Sequence, residues 1–316
     1  MDGLPDSVRV VEVGPRDGLQ NEPEPVPVQA KIALIEALAA AGLPMVEATS
    51  FVSPRWVPQL ADAHDVLTGI RRRPGVAYPV LVPNVRGLER ALAAGAGHVA
   101  IFTAASETFS RKNTNATIAQ SIDRLRAVAG EALAARVPVR GYISCVLGCP
   151  YEGPIPVAGV IAVAEQLLAM GCSEISLGDT IGIGTPGAAR DMLEQVAQVT
   201  GMDRLAVHFH DTRGQALANI LACLQAGVAT VDASVAGLGG CPYAAGATGN
   251  VATEDLVYML HGLGIRTGID LPAVVRAGQE ISHALGRTPN SRLGRLPEYR
   301  QTGRNENRNN EHATKD

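Results

Sequence analysis

Long apolar runs are missing from this sequence. Stretches such as Val99–Phe102 end after a few residues, far short of the roughly 18 that a bilayer-spanning helix needs, so no membrane span is expected. A charge excess is missing too: Lys plus Arg number 27 and Asp plus Glu 31, for a formal net charge of −4. That balance excludes the basic footprint that nucleic acid or an anionic membrane surface selects. Cysteine is scarce, with five residues at positions 145, 149, 172, 223 and 241 and no C-x-x-C pair. An odd, scattered set argues against a disulfide framework or a cysteine-built structural zinc site, and the thiols are expected to be reduced. The first residues carry Asp2 and Asp6 rather than a basic segment followed by an apolar one. No signal or transit peptide is expected, and the setting read from this is cytoplasmic.

What the chain does have is core material: 46% of its 316 residues are hydrophobic and 18% charged, the balance of a globular protein. Eight strand-like runs rich in Val, Ile and Leu recur, near 8–13, 45–51, 77–82, 98–103, 139–146, 174–178, 205–210 and 230–235. Between them lie amphipathic Ala/Leu segments, for example Ile32, Ile35, Leu38 and Ala39 at helical spacing. Regular alternation of strand and helix means right-handed βαβ units and a parallel sheet. Eight units in about 260 residues predict an α/β fold of the (β/α)8 TIM-barrel type, with a doubly wound sheet as the alternative. Gly42, Gly95, Gly171 and Gly227 each fall just before a strand, where a helix wants a C-cap glycine. Beyond the eighth helix (Thr253–Leu263) a further helix is predicted at Leu271–Leu285, packed outside or below the barrel. One catalytic unit is therefore expected over residues 1–300, and the polar stretch 301–316 is expected to be a disordered tail.

Barrel chemistry collects at the C-terminal ends of the strands. The first run ends in Arg16-Asp17, the sixth in Gly178-Asp179-Thr180, the seventh in His208-Phe209-His210, and the eighth leads into a glycine-rich loop from Gly237 to Asn250 that carries Cys241. His208 and His210 are two apart on a strand, so their imidazoles share a face. With a carboxylate from a neighbouring strand end, Asp17, they would make a two-histidine, one-carboxylate site for a divalent metal. Arg16 beside it could hold a developing enolate, and a thiol on a mobile loop, Cys241, could deliver a proton. Gly182-Ile183-Gly184-Thr185-Pro186-Gly187 matches a dinucleotide fingerprint. It is read instead as a βα loop, with Thr185 and Pro186 as N-cap and first residue of the next helix.

At these residues the sequence becomes recognisable. VEVGPRDGLQNE (11–22), EATSFVSPRWVPQLAD (47–62), RGYISCVLGCPYEG (140–153), EISLGDTIGIGTPG (174–187), HFHDTRGQALAN (208–219) and GLGGCPYAAGATGNVATEDLVYML (237–260) resemble the 3-hydroxy-3-methylglutaryl-CoA lyase family of metal-dependent TIM-barrel lyases. The resemblance runs from about Val10 to Leu285. It implies cleavage of 3-hydroxy-3-methylglutaryl-CoA to acetyl-CoA and acetoacetate, in leucine breakdown and ketone-body formation, with Mg2+ or Mn2+ bound. It implies metal ligation by Asp17, His208, His210 and Asn250. It further implies enolate stabilisation by Arg16, assistance by Glu47 and Asp179 in shaping the site and moving protons, a catalytic loop bearing Cys241, and a homodimer. The C3 hydroxyl proton would pass to Asp179 or a histidine of the pair. Arg111, Lys112 and Asn113, with Arg140, are the expected contacts of the CoA portion. Arg213 departs from animal members, which carry tyrosine there, and no counterpart of their C-terminal regulatory cysteine follows Cys241.

A second reading is a synthase of the same superfamily, of the isopropylmalate or citramalate type, with a similar metal motif. Such synthases add a long regulatory region, whereas this sequence continues only about 50 residues past its eighth helix, and its Gly-Gly-Cys-Pro-Tyr loop resembles the lyases. A third reading, a non-catalytic metal- or CoA-binding barrel, leaves the filled set of polar positions without a purpose.

Overall fold

The computed structural model of the chain describes residues 3–240 and 249–297. Its strands are β1 (Arg9–Glu12), β2 (Met45–Val46), β3 (Thr49–Ser50), β4 (Val80–Leu81), β5 (Val99–Ala104), β6 (Val139–Ser144), β7 (Gly148–Cys149), β8 (Gly153–Pro154), β9 (Glu174–Asp179), β10 (Leu205–Phe209) and β11 (Thr230–Ala233). β7 and β8 form a small antiparallel hairpin, and the others form one sheet in the order β2-β1-β11-β10-β9-β6-β5-β4-β3. Every ladder in that sheet is parallel.

The eight runs expected from the sequence are all present, but the second is divided between β2 and β3. Its backbone alternates between its neighbours: Glu47 N–H donates to Glu12 O at 2.8 Å, and Ala48 N–H donates to Pro79 O at 2.9 Å. β2 pairs with β1, β3 with β4, and Met45 also bridges Ala77. This run therefore closes the sheet into a TIM barrel, as expected.

The helices are α1 (Val28–Ala40), α2 (Ala63–Gly69), α3 (Val85–Ala93), α4 (Glu107–Thr114), α5 (Ile118–Ala134), α6 (Val157–Ala169), α7 (Pro186–Thr200), α8 (Ala216–Gln225), α9 (Thr253–Gly262) and α10 (Leu271–Ala284). Side-chain caps begin several of them: Asn84 for α3, Ser106 for α4, and Thr117 with Gln120 in a reciprocal capping box for α5. α10 is the extra helix beyond the eighth. It buries Leu271, Val274, Val275 and Ile281 against α1, α9 and the turn Val235–Gly237.

The large apolar core lies between sheet and helices, while the inside of the barrel is unusually polar. Arg140 on β6 bonds to Asp232 on β11 and to Glu174 on β9. Since β6 and β11 are not neighbours in the sheet, these side chains meet across the barrel interior. Strand alternation puts Tyr142 and Ser176 on the same inward face.

The four glycines expected to end helices all have positive φ: Gly42 +95°, Gly95 +78°, Gly171 +93° and Gly227 +106°. At Gly42 a Cβ would also meet the Gly268 carbonyl oxygen at 2.4 Å, whereas at Gly95 its closest neighbour would be the flexible Arg72 side chain at 3.6 Å. Gly95→Ala should cost only the left-handed strain of about 1 kcal/mol, and Gly42→Ala roughly 2–4 kcal/mol. Urea unfolding of the two variants checks the difference; equal losses would contradict the packing at Gly42.

Candidate active site

After β1 the backbone makes one wide helical turn, Gly14–Gly18, in which the amides of Arg16, Asp17 and Gly18 all point at the Val13 carbonyl, at 3.2, 2.7 and 3.2 Å. This turn presents Arg16 and Asp17 side by side at the barrel mouth. It is tied to the far side of the seam by Glu12, one of whose oxygens accepts from Gly14 N (2.7 Å) and Val235 N (2.9 Å) while the other accepts from Thr253 Oγ1 (2.7 Å).

His208 lies at the end of β10 and His210 just beyond it, with ring centroids 5.5 Å apart. Asp17, His208 and His210 offer ligand atoms that all lie within 4.8 Å of one another. Asn250 joins them through a non-local bridge: segment 249–251 pairs antiparallel to the end of β10, with His210 opposite Asn250. Its amide nitrogen donates to Asp17 Oδ2 at 2.8 Å, which leaves the amide oxygen as the atom it could offer a cation. The residues present suit a divalent cation. His210 Nδ1 is buried without a hydrogen-bond partner, and the set combines imidazole nitrogen with carboxylate and amide oxygen.

Electrostatics keeps Asp17 and His210 in the forms that can ligate. Burial works against ionisation of Asp17, but Arg16 and then the two histidines outweigh it, and its pKa falls to about 2. Burial, followed by the neighbouring His208, pushes His210 down to about 4, so this ring is neutral at pH 7. Arg16 is buried, which disfavours its charge; Glu47 and Asp17 more than offset this and raise its pKa. The guanidinium is clamped from both sides, Nε to Glu47 Oε2 at 2.7 Å and Nη1 to Asp17 Oδ1 at 2.6 Å.

A cavity of about 730 Å3 opens over this group, lined by Arg16, Asp17, Tyr142, Ser144, Thr180, His208 and His210 at its base and by Trp56, Lys112, Asn113 and Arg124 towards the rim. Arg111 is exposed and pairs with Glu107 at 3.7 Å, outside this lining. Arg140 is a correction to the sequence reading. It stands at the start of β6, so it belongs to the opposite end of the barrel, buried and bound to Glu174 and Asp232 rather than facing a CoA chain.

Asp179 is buried at the end of β9. It has the opposite parity on β9 to the cavity-lining Gly178 and Thr180, and its carboxylate accepts the amides of Ile183 (3.1 Å) and Gly184 (2.8 Å). Burial raises its pKa against those bonds. Two amides of the G-x-G-x-x-G loop are thereby used up, and α7 begins at Pro186 with Thr185 at its N-cap position, as the βα-loop reading expects. Arg213 is exposed and donates to the Ile181 and Gly182 carbonyls, away from the cavity lining. Cys241 lies outside the described residues.

Two residues were missed from the sequence. Tyr142 stands edge-on to His208, with centroids 6.1 Å apart, and between the guanidinium groups of Arg16 and Arg140, 5.5 and 4.8 Å from its ring centre. Asp232 lies directly beneath His208. Both share the inward strand parity that singled out the histidines.

The HMGL-like family model matches residues 7–281. The chain belongs to this family. It is 61% identical over 290 residues to the mitochondrial hydroxymethylglutaryl-CoA lyase of Gallus gallus, covering 92% of this chain and 97% of that one. Among solved structures, the hydroxymethylglutaryl-CoA lyase of Pseudomonas aeruginosa superposes with a TM-score of 0.91 at 57% identity, covering 92% of this chain and 97% of the other. An HMG-CoA lyase from Acinetobacter baumannii, in complex with coenzyme A and 3-methylmalate, gives a TM-score of 0.88 at 38% identity over 96% of this chain and 97% of its own. None of the described helices is long and apolar enough to cross a membrane.

The depressed value at His210 fixes the sign of a pH effect. Its folded pKa of about 4 lies below the ordinary 6.5, so the unfolded chain takes up this proton first. Stability contributed by the neutral ring is complete above about 6.5 and is lost as the pH falls towards 4. The urea midpoint of metal-free protein should fall across that window, and His210→Asn should show a shallower fall; identical slopes would contradict the assignment.

Proposed function

We propose that the protein cleaves 3-hydroxy-3-methylglutaryl-CoA to acetyl-CoA and acetoacetate. The observation that carries this is the meeting of Asp17, His208 and His210 with a clamped Arg16 at the floor of one cavity, in a chain so similar to proteins named for this activity. Asp17, His210 and Asn250 would hold a divalent cation, with His208 as a fourth ligand while its ring is neutral. Mg2+ or Mn2+ bound there supplies Lewis acidity to the C3 hydroxyl.

The chain's own groups then divide the reaction. Of the proposed acceptors for the hydroxyl proton, the histidines line the cavity and Asp179 does not, so we assign the proton to His208 Nε2 in the state in which that nitrogen does not hold the cation. As the C2–C3 bond breaks, its electrons move into the thioester, and C3 becomes the ketone of acetoacetate. Arg16 has five N–H bonds, of which Nε and one on each terminal nitrogen are directed at Glu47 and Asp17. Two remain for the oxyanion of the acetyl-CoA enolate. Glu47 positions the guanidinium rather than touching substrate. The Cys241 thiol would return a proton to C2. Lys112 and Asn113, exposed at the rim, would meet the CoA chain, and a cytoplasmic homodimer remains part of this reading.

Acetyl-CoA release from the 3-hydroxy-3-methylglutaryl thioester should stop on chelation, with helical circular dichroism retained, and return with Mg2+ or Mn2+. Arg16→Gln should lower kcat on the order of 100-fold with little change in KM, because the charge it stabilises exists only late in the reaction. Full metal-free turnover, or an Arg16 variant defective in KM alone, would overturn the assignment.

The four described cysteines, 145, 149, 172 and 223, are all buried, and burial pushes Cys172 and Cys223 up to about 12. A thiol alkylator should therefore inactivate mainly through Cys241, be slowed by a CoA product analogue, and spare Cys241→Ala, itself impaired in kcat. Normal turnover by that variant would remove the thiol from the mechanism.

A further inference from the structure

The polar groups inside the barrel form a chain running from its bottom to the candidate metal centre. Arg9 on β1 pairs with Glu174. Glu174 Oε1 accepts from Arg140 Nε at 2.6 Å. Arg140 then grips Asp232 with both terminal nitrogens, Nη2 to Oδ1 at 2.6 Å and Nη1 to Oδ2 at 3.0 Å. Asp232 Oδ2 also accepts from Ser176 Oγ at 2.8 Å and stands 3.2 Å from His208 Nδ1. On the other side of the same ring, His208 Nε2 lies 3.9 Å from Asp17 Oδ2.

A carboxylate held two-pronged by a guanidinium is an acceptor only. The nitrogen of His208 that faces it must therefore carry the hydrogen, and in a neutral ring the lone pair then sits on Nε2, facing Asp17. His210 differs: its Nδ1 is buried with no partner, so no comparable side chain below it dictates its tautomer.

We propose that Asp232 is a positioning residue for this reaction, holding His208 in the Nδ1–H tautomer and aiming Nε2 at the metal centre, with Arg140 and Ser176 fixing Asp232 in turn. Arg140, expected from the sequence at the CoA chain, thereby acts through His208 from the other end of the barrel. The inference rests on the metal reading proposed above. Carboxylates behind ligating histidines fix ring orientation and raise ligand basicity, and their loss typically weakens metal binding 10–100-fold.

Two measurements test it. In metal-free wild-type protein labelled with 15N-histidine, at a pH where the rings are neutral, His208 should show protonated Nδ1 and unprotonated Nε2; the reverse tautomer would overturn the proposal without any variant. Mn2+ titration followed by electron paramagnetic resonance should give a Kd for Asp232→Asn about 10–100-fold above wild type, with the KM for the acyl-CoA within about twofold of wild type. Because a lone Arg140 charge could unfold the single variant, the charge-balanced pair Asp232→Asn with Arg140→Gln is measured beside it and should show the same loss. Wild-type Mn2+ affinity in a folded variant would sink the inference and leave the metal site standing. Failure of wild type itself to bind Mn2+ would overturn the metal reading, and this inference with it.

Discussion

Asp17 has to remain a carboxylate at the mouth of a largely desolvated barrel, and the rest of the site is arranged around that requirement. Arg16 stands 2.6 Å away on one side and the His208 ring 3.9 Å away on the other. Arg16 is itself buried and is stabilised by a second carboxylate, Glu47. Removing Arg16 would strand the buried carboxylates of Asp17 and Glu47, which costs far more than the intact pairs contribute. The same arrangement leaves a neutral His210 within ligand reach of Asp17 and His208, with Asn250 bonded to Asp17 beside them. The barrel seam makes it possible, because β1 lies between β2 and β11 and Glu12 ties the Asp17 turn to the turn that follows β11.

The inside of a TIM barrel is usually filled by bulky apolar side chains. Here Arg9, Glu174, Arg140 and Asp232 alternate in charge along it and end at the His208 ring. Such a filling adds little net stability, and the stability of the fold is carried instead by the apolar layer between sheet and helices, where residues such as Leu38, Leu88, Ile101 and Leu193 are completely buried. What the ionic interior contributes is geometry: each group fixes the next, and the last of them is an imidazole at the active site. Fold stability and site precision are thus assigned to different sides of the same sheet.

Much of this was legible in the sequence wherever a short-range period carried the information. The strand-and-helix alternation predicted the barrel, the spacing of two put His208 and His210 on one face, and the pre-strand glycines marked the helix ends. Asn250 could only be placed in a loop by its spacing, because a bridge to His210 across forty residues of chain positions it; the resemblance supplied the rest. Arg140 was misplaced although the signal was available, since it opens its strand rather than ending it. Asp179 ends its strand on the opposite parity to Gly178 and Thr180 and holds the loop that follows. The divided second strand was not legible, because it arises from bonding alternately to two neighbours that only barrel closure brings together.

The most direct test of the central claim is anomalous diffraction from crystals of the protein soaked in Mn2+ and measured near the manganese edge. The account predicts one strong peak enclosed by Asp17, His208, His210 and Asn250, at the floor of the cavity that Arg16 lines. Saturating Mn2+ with no density at that position, in crystals of protein that releases acetyl-CoA in solution, would contradict it.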